Sequence, residues 1–141
     1  MTKDRRIDDS DPGKNYSLPR KKILRGQKNF QRLFEPEATV FRETCVDLRF
    51  RIYEKSDSDC LMGFIVKRKL GKAVKRNRVK RLMREAYRIN QYILTDAVQQ
   101  MKLTFHGVLM ARTIEIDFQQ AEREVTGLLT KAKKHIHALT D

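Results

Sequence analysis

The side chains best suited to chemistry in this sequence are cations gathered in one stretch. Residues 67–88 hold eleven of the chain's 31 basic residues and a single acid, Glu85. Because like charges repel one another, this concentration favours a polyanionic partner. Several of the cations are arginines, whose planar guanidinium binds phosphate in bidentate fashion and stacks on nucleobases. Asn77, between Arg76 and Arg78, can both donate to and accept from a base edge or a ribose hydroxyl.

Helical spacing divides this stretch into an apolar face and a cationic face. Apolar side chains recur at i, i+3, i+4 and i+7, and they are Val79, Leu82, Met83, Ala86 and Ile93. The opposite face carries Asn77, Lys80, Arg81, Arg84 and Arg88, with Arg78 at its edge. The spacing predicts a helix over residues 73–93 that binds nucleic acid. The alternatives are a solvated helix face, a short basic targeting patch and a membrane-surface helix. The last is disfavoured because the apolar face lacks Trp and Phe and is needed for a core.

Residues typical of protein catalysis form no constellation in the sequence. His135 and His137 are two apart on a predicted helix, so they point to different faces and do not suit one metal ion. Gly71 is isolated, which indicates a tight strand-to-helix turn rather than a Gly-rich phosphate loop. Cys45 and Cys60 lack metal-ligand spacing and require no disulfide, as is typical of a reducing cytoplasm. We predict no catalytic residue and no metal site in the protein.

The remaining pattern predicts the strands that position the basic helix. Residues 44–54 alternate apolar and polar side chains, so that one strand face carries Val46, Leu48, Phe50 and Ile52 while Asp47, Arg49 and Arg51 point the other way. Further strands are expected at residues 39–41, 61–66 and 103–111.

Two further helices are expected besides the basic helix. Phe30, Leu33 and Phe34 share one face of a helix over residues 25–34, and Asp117 with Gln120 resembles a capping box that opens the last helix. One or two more turns are expected after residue 93, ending near residue 101. The order α-β-β-β-α-β-α predicts an α+β fold with about three helices packed on a small, mainly antiparallel sheet.

The chain's 141 residues predict one domain. Residues 1–19 are polar without periodicity and are expected to form a disordered or extended arm, which leaves a single domain at residues 20–141. No apolar run is long enough for a membrane span, and no secretory signal is evident, so a cytoplasmic location is expected.

The run from Gly71 to Arg81, GKAVKRNRVKR, followed by Arg84-Glu85 and Arg88, resembles the signature of the bacterial ribonuclease P protein subunit. The resemblance implies an α+β fold with an unusual left-handed β-α-β crossover, which the general preference for right-handed crossovers would not predict. It also implies that the RNA subunit carries catalysis, with magnesium ions held mainly by RNA. The reaction is endonucleolytic removal of the 5′ leader from precursor tRNA, so the implied partners are the RNA subunit and precursor tRNA, with no DNA and no membrane.

Two RNA-binding surfaces follow from the resemblance. The first contacts the catalytic RNA through Lys72, Lys75, Arg76, Asn77, Arg78, Lys80, Arg81, Arg84 and Arg88. The second is a cleft for the single-stranded leader, with Phe30, Phe34, Phe50, Lys67, Arg68 and Lys69. On residue pattern alone, the two aromatics of the first helix could instead belong to the core, and the three cations after the second long strand could simply be solvated.

The residues leave three rival functions to weigh. A ribosomal-type RNA-binding protein would use the same helix on another RNA, and only the Gly71–Arg81 run argues against it. A DNA-binding regulator would need a helix-turn-helix partner before the basic helix, where a strand is predicted instead. A self-sufficient nuclease would need a metal or acid–base set that the sequence does not supply.

Overall fold

The computed structural model describes residues 14–54 and 59–139. Their helices are α1 (Gln27–Arg32), α2 (Ala73–Asn90), α3 (Tyr92–Gln100) and α4 (Phe118–Ala138). Their strands are β1 (Thr39–Arg42), β2 (Val46–Tyr53), β3 (Cys60–Val66) and β4 (Thr104–Ala111). This arrangement confirms the predicted α+β class.

The strands form one mainly antiparallel sheet in the order β1-β2-β4-β3. β2 pairs antiparallel with both β1 and β4, while β3 pairs parallel with β4. A parallel pair requires a crossover connection, and here α2 and α3 supply it. The basic helix is therefore the crossover element between β3 and β4, and the left-handedness of that crossover stays a prediction.

The predicted alternation in β2 sets the core. Val46, Leu48 and Phe50 are each at most 1% exposed, and they pack in one cluster with the apolar sides of α2, α3 and α4. The Phe50 ring stacks on Phe105 with 4.9 Å between ring centroids. Burying each large apolar side chain contributes roughly 1.5–3 kcal/mol. The assignment of Phe50 to the leader cleft is therefore wrong, because its ring fills the core on the other face of the sheet.

A smaller apolar cluster covers part of the second sheet face. Leu24 and Leu33 pack there on Val108 of β4, and Phe30 packs against the cluster's edge. The Leu33 side chain is fully buried. Because α1 is short, the rest of this sheet face stays uncovered.

The long helix predicted through residue 93 is interrupted at Gln91. The buried Gln91 side chain donates from Nε2 to the backbone oxygens of Arg88 at 2.9 Å and Ser17 at 3.1 Å. Asn90 Nδ2 also donates to the Ala86 oxygen at 2.8 Å. Side-chain donors that compete for helical carbonyls disturb the regular ladder. α2 therefore ends at Asn90, and α3 continues as a separate helix.

The first described residues lie along α2 and α3 rather than away from the domain. Tyr16 packs edge-on against Tyr92, with ring centroids 5.2 Å apart, and Lys14 Nζ lies 2.7 Å from a carboxylate oxygen of Asp96. Leu18 packs against the main core. Of the predicted arm, residues 14–19 are thus docked, and residues 1–13 lie outside the described residues.

The buried carboxylate of Glu124 ties α4 to the start of β2. Its Oε1 accepts hydrogen bonds from the backbone N–H groups of Cys45 at 2.7 Å and Val46 at 3.0 Å. Asp117 caps α4 by accepting from the Gln120 N–H at 2.8 Å, as predicted. The Gln120 side chain, however, donates to Glu124 at 3.0 Å instead of completing a capping box.

Among the described residues, no helix is long and apolar enough to cross a membrane.

Candidate nucleic-acid interface

The basic face of α2 begins immediately after a compact turn. β3 leads into a 3-10 turn at Arg68–Leu70, and Gly71 follows. A Cβ at Gly71 would lie 2.8 Å from the Ile114 side chain, so glycine permits this close approach. Lys72 stands at the N-cap without a capping side-chain hydrogen bond, and the first turn contains no acid. Backbone N–H groups and cations thus lie close together at the start of α2, which favours the binding of an anion there.

The side chains of the basic face are largely open to solvent. We define this face by Arg76, Asn77, Arg78, Lys80, Arg81 and Arg84, of which Arg76 and Lys80 are half-buried and the others exposed. Lys72 and Lys75 are also exposed at its start. Apolar residues on the other side are buried, including Val79, Met83 and Ala86 as predicted. The predicted two-sided helix is therefore present, with its cations available to a partner.

Two of the predicted RNA-binding arginines also have partners within the protein. Arg78 donates from Nη2 to the backbone oxygen of Ile116 at 3.1 Å, which holds the loop before α4. Arg88 lies 2.7 Å from the Glu85 carboxylate and donates to the Tyr16 oxygen at 3.1 Å. Arg88 is thus engaged by the docked N-terminal segment rather than grouped with the basic face.

An edge groove of about 380 Å³ runs between α1 with the segment before it, the edge strand β3 and α2. Phe30 and Phe64 supply aromatic walls, and the basic face contributes Asn77, Lys80, Arg81 and Arg84. A Cβ at Gly63 would lie 2.7 Å from the Phe30 ring, so that ring rests directly on the β3 backbone. Phe30, predicted for the leader cleft, therefore lies beside the surface predicted for the catalytic RNA.

A second cavity of about 460 Å³, the cationic trough, lies on the uncovered part of the sheet. Its lining residues are Arg42, Asp47, Arg49, Lys67, Lys69, Leu70, Met110, Ala111 and Arg112. The structure thus brings Lys67 and Lys69 together in one cavity. Arg68 is exposed in the 3-10 turn but does not line the trough.

Phe34 adds an aromatic surface beside the trough. Its side chain is 44% exposed, and the guanidinium carbon of Arg49 lies 4.8 Å from the centroid of its ring. An exposed aromatic next to cations suits a single-stranded nucleic acid, because each base has a face that can stack and each phosphate a charge to neutralise. Phe34 thus lies beside the trough, whereas Phe30 lies at the edge groove.

Four charged lining residues of the trough were not among the predicted site residues: Arg42, Asp47, Arg49 and Arg112. The alternation of β2 does place Asp47 and Arg49 on the open sheet face. Their proximity to Arg42 and Arg112 depends on strand pairing, in which Asp47 lies opposite Arg42 on β1 and Met110 on β4. That register could not be read from the residue pattern.

Neither cysteine of the protein is activated as a nucleophile. Burial raises the pKa of the Cys60 thiol to about 12, and burial likewise raises the pKa of its neighbour Tyr87. Burial, followed by the Glu124 carboxylate, raises the pKa of Cys45. These groups stay protonated at neutral pH and are poor nucleophiles. Within residues 14–54 and 59–139, no three His, Cys, Asp or Glu side chains gather as metal ligands would.

The fold and its two open cationic surfaces define a small α+β domain suited to binding a polyanion. Residues 18–133 match the family Ribonuclease P. The ribonuclease P protein component of Nitrosomonas eutropha is 32% identical over 125 residues, which cover 86% of this chain and 95% of that protein. The Porphyromonas gingivalis protein component is 43% identical over 60 residues, and there the match spans only 44% of the relative's length.

Solved structures agree with this result. The ribonuclease P protein from Thermotoga maritima superposes with a TM-score of 0.60 at 26% identity, covering 77% of this chain and 96% of that one. The Staphylococcus aureus protein, at 21% identity, shares the fold with a TM-score of 0.63 over 83% of this chain and 93% of its own. The chain belongs to the ribonuclease P protein family.

Proposed function

We propose that this chain is the protein subunit of ribonuclease P, which binds the catalytic RNA and the 5′ leader of precursor tRNA and so promotes endonucleolytic removal of the leader. The observation that carries the proposal is the division of the exposed cations between two separate surfaces. One is the basic face of α2 with the edge groove, and the other is the cationic trough with Phe34. Two surfaces allow one small protein to contact two RNA segments at once.

The basic face is assigned to the catalytic RNA. A folded RNA presents phosphates along a broad surface, and a row of exposed arginines on a rigid helix can contact several of them together. In the edge groove, Asn77 and the Phe30 ring add groups that can contact an unpaired nucleotide. This face contributes affinity for the RNA subunit.

The trough is assigned to the leader, which is single-stranded and absent from mature tRNA. Lys67, Lys69, Arg49 and Arg112 are placed to contact its phosphates, while Phe34 offers a ring on which a base can stack. Because only the precursor carries a leader, binding here favours substrate over product. The protein's contribution is binding and positioning rather than acid–base chemistry.

In this proposal, magnesium ions held mainly by the RNA subunit supply the hydrolytic chemistry. The described protein residues supply cations that offset phosphate charge, which lowers the magnesium concentration needed to assemble the RNAs. The chain acts in the cytoplasm, where precursor tRNA is processed.

The proposal predicts that Phe34→Ala selectively weakens precursor binding. With the holoenzyme, we expect precursor affinity to fall by about tenfold, because loss of one stacked base costs roughly 1–3 kcal/mol, while mature tRNA affinity is unchanged. The measurement compares the Kd of precursor with that of mature tRNA. Leu139→Ala removes another exposed apolar side chain, 54% exposed on the last described turn, and serves as the control. Equal losses for precursor and mature tRNA would contradict the assignment of Phe34 to the leader.

A further inference from the structure

The cationic trough contains a carboxylate that anion binding alone does not explain. Asp47 is 2% exposed, yet it lies in a cavity lined by five cations, Arg42, Arg49, Lys67, Lys69 and Arg112. A negative charge at this place repels a phosphate. Burying it also costs solvation free energy, which ion pairs offset only when their geometry is good.

The contacts of Asp47 lead to two arginines on neighbouring segments. The Nε atom of Arg112 lies 3.1 Å from Oδ1, and Nη1 of Arg42 lies 3.5 Å from Oδ2. Strand pairing fixes this arrangement, since Arg42 is opposite Asp47 on β1 and Arg112 directly follows β4. The carboxylate therefore joins three adjacent segments at the open end of the trough.

Arg112 is held at further points. Its Nη2 donates to the backbone oxygens of Glu43 and Thr44, the latter at 2.8 Å. The Arg112 side chain nevertheless remains 44% exposed, and that of Arg42 remains 56% exposed. Arg112 is thus restrained by two backbone oxygens and by an ion pair with Asp47 that lacks hydrogen-bond geometry at Oδ1, while Arg42 is held more loosely by its 3.5 Å contact. Both guanidinium groups are still accessible from the trough.

We propose that Asp47 is a positioning residue for RNA binding: it holds Arg112 and Arg42 ready to receive one phosphate of the single-stranded leader, together with Lys67. A free arginine side chain loses rotamer entropy when it becomes fixed, so holding it beforehand removes part of that cost from binding. The five cations keep the trough positive despite the carboxylate. This inference rests on the proposed function and adds to it the group that organises the phosphate contact.

The test is Asp47→Asn in the holoenzyme, measured as the ratio of precursor to mature tRNA affinity. Simple electrostatics predicts that removing an acid tightens RNA binding, whereas positioning predicts the opposite sign. We expect precursor affinity to fall about fivefold with mature tRNA unchanged. Glu35→Gln is the matched control. The Glu35 carboxylate lies 3.1 Å from Arg51, which is on β2 like Asp47, but Glu35 does not line the trough. We expect no loss of precursor affinity from this control.

A double variant separates positioning from a general effect on folding. If Asp47 acts through Arg112, Asp47→Asn causes little further loss in an Arg112→Gln background. Equal or tighter precursor binding by Asp47→Asn overturns the inference, as does a full further loss in the double variant. Asp47→Val, which places an apolar side chain of similar size there, gives a second test with the same expected sign if the asparagine variant does not fold. If the unmodified holoenzyme bound precursor tRNA no more tightly than mature tRNA, that result would instead contradict the proposed function itself.

Discussion

Replacing Arg81 and Arg84 with glutamine weakens binding to the ribonuclease P RNA subunit by about a hundredfold. Both side chains are exposed on α2, and neither pairs with another described residue, so they are available for phosphate. A hydrogen bond to a charged group contributes about 1.5–3 kcal/mol, and each 1.4 kcal/mol is roughly a factor of ten in affinity. Because both arginines also line the edge groove, their loss removes contacts to the RNA at two adjacent points.

The salt dependence of binding separates this effect from a change in protein stability. Each lost phosphate contact lowers the slope of log affinity against log salt by about 0.7–0.9, so the double variant is expected to lose about 1.5. Lys133→Gln with Lys134→Gln removes the same charge from exposed positions of α4 and serves as the control. An unchanged slope in the Arg81/Arg84 variant would exclude the basic face from the RNA interface.

Replacing Glu124 with alanine lowers the free energy of unfolding by about 3 kcal/mol. The side chain is 5% exposed, and its carboxylate accepts from two backbone N–H groups at the start of β2. Alanine leaves those donors without this acceptor, and a buried donor without an acceptor costs about 1–3 kcal/mol. Because β2 carries Asp47 and Arg49, the same contact positions the floor of the trough.

Urea unfolding followed by circular dichroism measures this prediction. Glu124→Gln keeps an acceptor oxygen and is expected to lose only about 1 kcal/mol, since the hydrogen bonds remain without the charge. Gln119→Ala, at an exposed position of the same helix, controls for helix propensity. A loss from Glu124→Ala no larger than that from Gln119→Ala would contradict the anchoring role.

The elements of the fold were predictable because their residue patterns are local. The alternation of β2 correctly assigned Val46, Leu48 and Phe50 to one buried face, and the period of α2 correctly separated its cations from Val79 and Met83. The family was also predictable, because it is marked by one continuous run. These features depend on neighbouring residues, and tertiary contacts do not change them.

Strand alternation and the family resemblance gave conflicting predictions for Phe50. Its position in the alternation placed it with the core, while the resemblance suggested the cleft. The structure agrees with the alternation, since every second residue of a strand points to the same side.

The separation of Phe30 and Phe34 could not be predicted from helical spacing. Four residues apart, they share a face only if the helix continues past both, but α1 ends at Arg32. Phe30 therefore packs on β3 at the edge groove, and Phe34 lies beyond the helix against Arg49 on β2. The length of a short helix is set by tertiary packing, which the pattern does not contain.

The set of residues that lines the trough could not be predicted from the sequence either. Arg42, Asp47 and Arg112 are separated by up to 70 residues in the sequence and meet only because β1, β2 and β4 pair in one register. Arg42 and Asp47 are near each other in sequence, but no local signal relates Arg112 to either of them. The sequence pattern predicted that charged residues face away from the apolar side of a strand, but it did not predict their partners on the neighbouring strands.

The most direct test of the proposed function is cleavage of a 5′-leadered precursor tRNA at low magnesium. The reaction is run with the cognate ribonuclease P RNA alone, with this protein alone and with both together. We expect rapid removal of the leader only when both are present, which places the chemistry on the RNA and the binding contribution on the protein. Cleavage by the protein alone would contradict the account, as would tight binding to the RNA subunit without any stimulation of cleavage.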